Sequence, residues 1–170
     1  LLIELFRARF DPDGGDGAGE RAAGHERAIQ AALESVENLS EDRVLRQLLA
    51  LIGATTRTNF WRRDAGGRRR TFLSFKFDPA KVPGLPEPKP AFEIFVCATR
   101  FEGIHLRGGP VARGGLRWSD RAEDFRTEVL GLMKAQMVKN TVIVPVGSKG
   151  GFVLKRPPPP SDRDAYLKEG

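Results

Sequence analysis

The period of the apolar positions changes along this chain, and the change divides it into a helical first part and a strand-rich second part. Residues 1–10 (LLIELFRARF) are apolar enough for a helix or a strand. Residues 11–19 (DPDGGDGAG) are turn formers with little to bury, so a loop is predicted there. From about Glu20 to Val36, the residues Ala28, Ile29, Ala32, Leu33 and Val36 form one stripe at helical spacing. Asn38-Leu39-Ser40-Glu41 interrupts that stripe, and Ser40 offers a capping hydroxyl for a new start. A second helix is predicted from about Glu41 to Asn59, with Val44, Leu45, Leu48, Leu49 and Ile52 on one face. The two helices are expected to pack as an antiparallel pair.

After the basic connector at 62–70 (RRDAGGRRR) the period becomes two. Phe72, Ser74 and Lys76 alternate with Leu73, Phe75 and Phe77, which predicts a strand. Five prolines in residues 78–90 predict an extended linker. Phe92–Ala98 reads as a buried strand, and Gly103–Leu106 as a shorter one paired with it across a turn at Thr99–Glu102. Gly108-Gly109-Pro110 then leads into a glycine-rich turn carrying Arg113. Ser119 or Asp120 is expected to cap a helix from about Arg121 to Val138, Asp120 and Glu123 having the spacing of a capping box. Its buried face is expected to hold Phe125, Val129, Leu132 and Met133. Asn140 ends that helix, Thr141–Val146 is a short apolar strand, and Gly147–Gly151 is a flexible turn presenting Lys149. Pro157–Pro160 reads as an exposed polyproline loop. The predicted fold class is α/β: a helical N-terminal part over residues 1–70, then an incomplete mixed sheet with a crossing helix over residues 71–170.

Composition narrows the class. The chain has 170 residues, of which 40% are hydrophobic and 29% charged, the balance of an ordinary globular protein. It lacks the run of about 18 apolar residues that a membrane-spanning helix needs. Cys97 is the one cysteine, which excludes a disulfide framework and a cysteine-based zinc site, and fits a reducing cytoplasm. His25 and His105 are too far apart in sequence for a histidine metal motif. The chain starts on Leu1 with no signal-peptide pattern, and an internal piece of a longer protein is expected. A net charge of +6 favours anionic partners.

The charges between residues 108 and 151 form a constellation. Arg113 lies on a glycine-rich turn, Gln136 and Lys139 lie one helical turn apart, and Lys149 is flanked by Gly147, Gly150 and Gly151. Glycine lets backbone approach a ligand closely. No acidic residue lies between Val129 and Lys155. A lysine crowded by cations and partly withdrawn from water is a candidate base, and the natural guest is a small dicarboxylate. Each of these cations would serve equally as a solvated surface charge or a complement to a helix end. A phosphate-binding P-loop is excluded, because Lys149 has neither the glycine six residues before it nor the following Ser or Thr.

Three segments carry a resemblance: Arg113-Gly-Gly-Leu-Arg-Trp-Ser, the helix end Gln136-x-x-Lys139, and Val-Pro-Val-Gly-Ser-Lys149-Gly-Gly. Together they are similar to the substrate-domain signature of glutamate dehydrogenases. The longer stretch VARGGLRWSDRAEDFRTEVLGLMKAQMVKNTVIVPVGSKGGF resembles the large-subunit, NAD-specific bacterial group, as does the preceding FLSFKFDPAKVPGLPEPKPAFEIFV. The resemblance is dense over about residues 40–154. It implies that Arg113, with Gly114 and Gly115, contacts a substrate carboxylate, where small-subunit enzymes have a lysine at the position of Arg113. It assigns Gln136 and Lys139 to the carboxylate at the α-carbon and Lys149 to catalysis, as the amine that activates water against the iminium. The implied reaction is oxidative deamination of L-glutamate to 2-oxoglutarate and ammonium with reduction of NAD.

The lysine turn, Gly147-Ser148-Lys149, departs from the Gly-Gly-Ala-Lys of the small-subunit enzymes. The family's catalytic aspartate has no counterpart in these residues. No GxGxxG follows a predicted strand, so NAD is expected to be bound by a domain absent from this chain, and the isolated piece is expected to be inactive. The resemblance further implies a cytoplasmic homo-oligomer with small-molecule partners, no nucleic acid and no metal. The competing reading is a basic nucleic-acid-binding module built on Arg68-Arg69-Arg70, with Trp61 and Phe72 as stacking platforms.

Overall fold

The computed structural model describes residues 1–139, 146–159 and 161–169. Three helices come first: α1 (Leu2–Phe10), α2 (Ala18–Leu33) and α3 (Leu39–Ala54). They share a core of Leu5, Ile29 and Leu33, against which Leu45, Leu49 and Ile52 pack. The helix α1 lies at the centre of this group, because its Leu5 is the residue around which the stripes of α2 and α3 close. The expected face of α3 is therefore only half used: Val44 and Leu48 remain exposed. The cap of α3 is Asn38, whose side-chain oxygen accepts from the backbone N–H of Ser40 and Glu41, so Ser40 lies inside the helix rather than at its start. An Asx oxygen reaches the N–H groups two and three residues on, which places the cap two positions earlier than expected.

The helix α3 ends at Ala54, five residues before the expected Asn59, and β1 (Thr55–Thr58) follows directly. The β-branched threonines favour extended backbone, and β1 pairs antiparallel with β2 (Phe72–Phe77). A four-residue strand is too short to show its own period, which is why the helical pattern ran over it. A 3₁₀ turn at Pro79–Lys81 opens the proline-rich linker, and β3 (Phe92–Ala98) has the expected bounds. The strand β4 (Phe101–Arg107) is longer than expected, with only Thr99 and Arg100 left for the turn. Two short strands, β5 (Ala112–Arg113) and β6 (Leu116–Trp118), replace the expected glycine-rich turn.

The crossing helix α4 spans Phe125–Lys139, starting four residues later than expected. Asp120 and Glu123 form no capping box. Instead the Ser119 hydroxyl accepts from the Arg121 N–H, and Asp124 ion-pairs with Arg121 while its carbonyl starts the helix. Val129, Leu130 and Met133 are its buried residues, with Phe125 and Met137 partly buried beside them. The expected strand Thr141–Val146 lies outside the described residues except for Val146, which opens the next strand. The largest correction concerns Gly147–Gly151. These residues are not a flexible turn but part of β7 (Val146–Leu154), which runs antiparallel to β4 and parallel to β5 and β6. A short helix α5 (Arg163–Glu169) completes the order.

The mixed sheet runs β1-β2-β3-β4-β7-β5, with β6 also on β7. Registers show which face each residue takes. Phe75 pairs with Phe95, and Phe95 with Ile104. Phe75 meets Phe6 of α1, and Ile104 packs on α4, so α1 and α4 cover the same face of the sheet. The opposite face carries Ile94, Val96, His105 and Phe152, and α5 reaches it through Tyr166, whose ring lies 4.5 Å from that of Trp118.

Candidate active site

The site is built on β7. Its positions facing α4 include Gly147, Lys149 and Gly151, since Lys149 pairs with Leu106 of the α4 core. A Cβ on Gly147 would stand 2.7 Å from the Met137 backbone nitrogen and 3.1 Å from Gln136 Cβ. One on Gly151 would overlap the Val129 side chain. Bare backbone at both positions lets α4 settle directly on β7, and between them Lys149 is the one side chain that extends. These glycines are needed for close approach across elements, not for a hinge.

The other edge of β7 brings in the arginine-glycine segment. Arg113 pairs with Gly147, and the Gly150 N–H donates to the Gly115 carbonyl at 3.0 Å. A Cβ on Gly114 would overlap the Ser148 carbonyl oxygen, so no other residue allows β5 and β6 to close on β7. The Lys149 Nζ lies 3.9 Å from where a Gly115 Cβ would be, so the half-buried lysine reaches over the Gly114–Gly115 backbone. The structure thus gathers Arg113, Gly114, Gly115, Gln136 and Lys149 around the first half of β7. Lys139 is the exposed last residue of α4, one turn beyond Gln136.

Two charge clamps that the spacing did not reveal hold this arrangement. Arg126 of α4 donates to both Glu93 carboxylate oxygens, at 2.9 Å and 2.6 Å, across to β3. Glu93 is only 8% exposed, so its charge is compensated where water cannot do so. Glu128 accepts from the Ser119 hydroxyl at 2.5 Å and from Arg117, tying α4 to β6. The Ser119 hydroxyl, and after it Arg117, hold the Glu128 carboxyl below its ordinary range against the opposing effect of burial. A lone acid in the apolar run FEIFVCA was the one sequence signal for the first clamp.

A hollow of about 750 Å³ lies elsewhere, on the opposite face of the sheet among Val96, Ala98, His105, Phe152 and Leu154. Of the two aromatic rings beside the basic loop, Phe72 stays 40% exposed and Trp61 is packed. Trp61 is stacked on Phe6 with centroids 5.3 Å apart, Arg68 is paired with Asp64, and Arg69 lies over the Phe60 ring. Among the described residues no three His, Cys, Asp or Glu side chains are grouped to hold a metal. No helix of the described residues is long and apolar enough to cross a membrane. Nor do these residues fit a dinucleotide. The strands leading into and out of the sheet centre are antiparallel, and the parallel pairs on β7 come from β5 and β6, of two and three residues, without the strand–Gly-rich turn–helix unit that cradles a pyrophosphate.

The chain is similar to known proteins along nearly its whole length. Residues 28–170 match the family described as bacterial NAD-glutamate dehydrogenase, catalytic domain. The chain is 57% identical to the NAD-specific glutamate dehydrogenase of Halomonas elongata over 99% of its length, and 55% identical to that of Pseudomonas aeruginosa over 99%. It is 51% identical to that of Mycobacterium tuberculosis, again over 99%. The chain spans about a tenth of the length of these relatives, 10% of the first and 11% of the other two. With the family match over residues 28–170 and this identity along nearly the whole chain, the chain belongs to the bacterial NAD-glutamate dehydrogenase catalytic-domain family.

Proposed function

We propose that these residues bind the substrate of an NAD-dependent glutamate dehydrogenase, in which residues 71–170 are part of the substrate domain and residues 1–70 precede it. The observation that carries the reading is the placement of Lys149 between Gly147 and Gly151 and over Gly114–Gly115. Arg113 pairs with one carboxylate of L-glutamate, with a planar fork suited to a bidentate contact. Gln136 and Lys139, from the end of α4, take the carboxylate at the α-carbon. Lys149 acts as general base toward water: the water oxygen bonds to the iminium carbon, its proton passes to Nζ, and ammonia departs to leave 2-oxoglutarate. In the reverse direction the protonated amine polarises the keto oxygen. NAD supplies the oxidation from a domain outside these residues, in a cytoplasmic homo-oligomer.

The test is NADH production from L-glutamate by the full-length polypeptide. Lys149→Ala is expected to lower kcat by about 10²–10⁴-fold, the range for a lost general base. Lys149→Arg, which keeps the charge without the base, is expected to be equally slow. Unchanged turnover in either variant would remove the role of Lys149.

A further inference from the structure

The connector between β1 and β2 carries more positive charge than its own packing uses. Asp64 is the one acid between Thr55 and Phe77. It is engaged inside the loop, where its carboxylate accepts from the Gly66 and Arg68 N–H groups and pairs with the Arg68 side chain. Arg63 donates to the Gly67 carbonyl, and Arg69 lies over the Phe60 ring. Those three arginines hold the loop to itself. Arg62 and Arg70 make no such contact, and Arg70 acts on Asp64 only from beyond ion-pair distance. Both line a hollow of about 550 Å³, together with Arg57 of β1 and Lys76 of β2.

The strand register sharpens the anomaly. Arg57 and Lys76 are direct cross-strand partners. Like charges directly opposite one another destabilise a strand pair. The Lys76 ammonium rests over the Phe92 ring, 4.3 Å from its centroid, and no acidic side chain lines the hollow. The frame beneath is fixed, because Asn59 donates to the Phe72 carbonyl and accepts from the Ser74 N–H, tying the end of β1 to β2. Phe72, 40% exposed, adds a flat apolar wall. The volume falls in the range of about 300–1,000 Å³ that small-molecule sites occupy. An arginine fork matches phosphate oxygens two at a time. Several cations around one hollow suit a ligand with adjacent anionic groups better than one with a single carboxylate.

We propose that the hollow among Arg57, Arg62, Arg70 and Lys76 binds a small ligand carrying a chain of two or more phosphate groups. None of its lining residues belongs to the β7 site. The bound phosphates turn the repulsion between Arg57 and Lys76 into a shared attraction and fasten the connector to the β1–β2 hairpin.

Hydrogen exchange at the β1–β2 and connector amides of the full-length polypeptide tests this, with NADH saturating so that the dinucleotide site is filled. The probes are inorganic tripolyphosphate and ATP, with orthophosphate for comparison. Tripolyphosphate is expected to slow exchange there at a concentration about tenfold or more below that of orthophosphate. Arg57→Gln or Arg70→Gln is expected to weaken it by about tenfold, the value of one charged hydrogen bond. Arg43→Gln, which removes the same charge from the exposed face of α3, should change it by less than about twofold. Arg57→Glu gives Lys76 a partner, so the hairpin should stay protected without ligand while the effect of tripolyphosphate is lost; this separates binding from folding. A lower working concentration for ATP that Phe72→Ala abolishes supports phosphates borne on an organic group. Equal or lower potency of ATP supports free polyphosphate. No added protection by either probe, equal losses in Arg43→Gln and Arg57→Gln, orthophosphate as potent as tripolyphosphate, or displacement of both probes by a tighter-binding single-stranded oligonucleotide overturns the proposal. No turnover is read, so the result is independent of the role assigned to Lys149.

Discussion

The strands β3 and β7 both lie inside the sheet, yet they fill the space around them in opposite ways. On β3 almost every position carries a bulky side chain, and Phe95 and Glu93 reach toward the helices from their own backbone. On β7 the space above Gly147 and Gly151 is filled by α4, and the space above Gly150 by Leu116 and His105. The difference shows how a single lysine is isolated. A lysine on β3 would be one side chain in a crowd. On β7 the neighbouring glycines draw α4, β5 and β6 onto the backbone, so Lys149 emerges through a frame made by other elements. Stability should therefore reside in the side chains of β3, and site geometry in the missing side chains of β7.

Substitutions at the two strands test this contrast, with local opening read by hydrogen exchange at the β4 and β7 amides of the full-length protein. Glu93→Ala is expected to have the largest effect, lowering protection by about 3 kcal/mol, because it leaves Arg126 unpaired at a site where it is only 27% exposed. Glu93→Gln should lose less, since it keeps one acceptor for the guanidinium. Gly151→Ala comes next, at about 2 kcal/mol, the typical cost of overpacking where the new methyl meets Val129. Adding Val129→Ala should restore part of that loss. A strictly additive pair would show that the glycine is not there for close approach.

Ile94→Ala, on the half-buried outer face of β3, is expected to cost about 1 kcal/mol or less in this 170-residue chain, where most of the transfer gain is not realised. It should cost more in the full-length protein if that face is covered. The smallest effect concerns acid. The Glu128 carboxyl is held low in the folded state by Ser119 and Arg117, so its contribution is complete above its unfolded value of about 4.3 and is lost as pH falls through the lower folded value. Glu128→Gln should flatten that part of the acid limb and leave stability at neutral pH reduced. An identical acid limb in the variant would discount the clamp between α4 and β6.

The candidate site was legible in a particular way. Arg113, Gly114, Gly115, Gln136 and Lys149 stood out by residue type and spacing, and the structure brings those five together around β7. Their local conformations were misread. The run Gly147-Ser148-Lys149-Gly150-Gly151 has the composition of a turn, and only its pairing with β4 shows it to be a strand. The same holds for β5 and β6, of two and three residues, which have no period of their own. The boundary of α4 was misplaced for a related reason. The spacing of Asp120 and Glu123 suits a capping box, but Ser119 and Glu128 join across β6 and α4, and the helix begins only after that connection.

By itself the amino-acid order determined what is periodic and local: α2, most of α3, the bounds of β3, and the helix that carries Gln136 and Lys139. It also determined the family, because residue types at motif spacing survive any change of local conformation. Tertiary structure alone decided why the glycines are there, which face of β7 Lys149 takes, and that Glu93 meets Arg126 across 33 residues of chain. The physical reason is that a glycine's missing side chain has no periodicity to read. Its meaning depends on what another element places in the vacated space, and only the folded chain brings that element near.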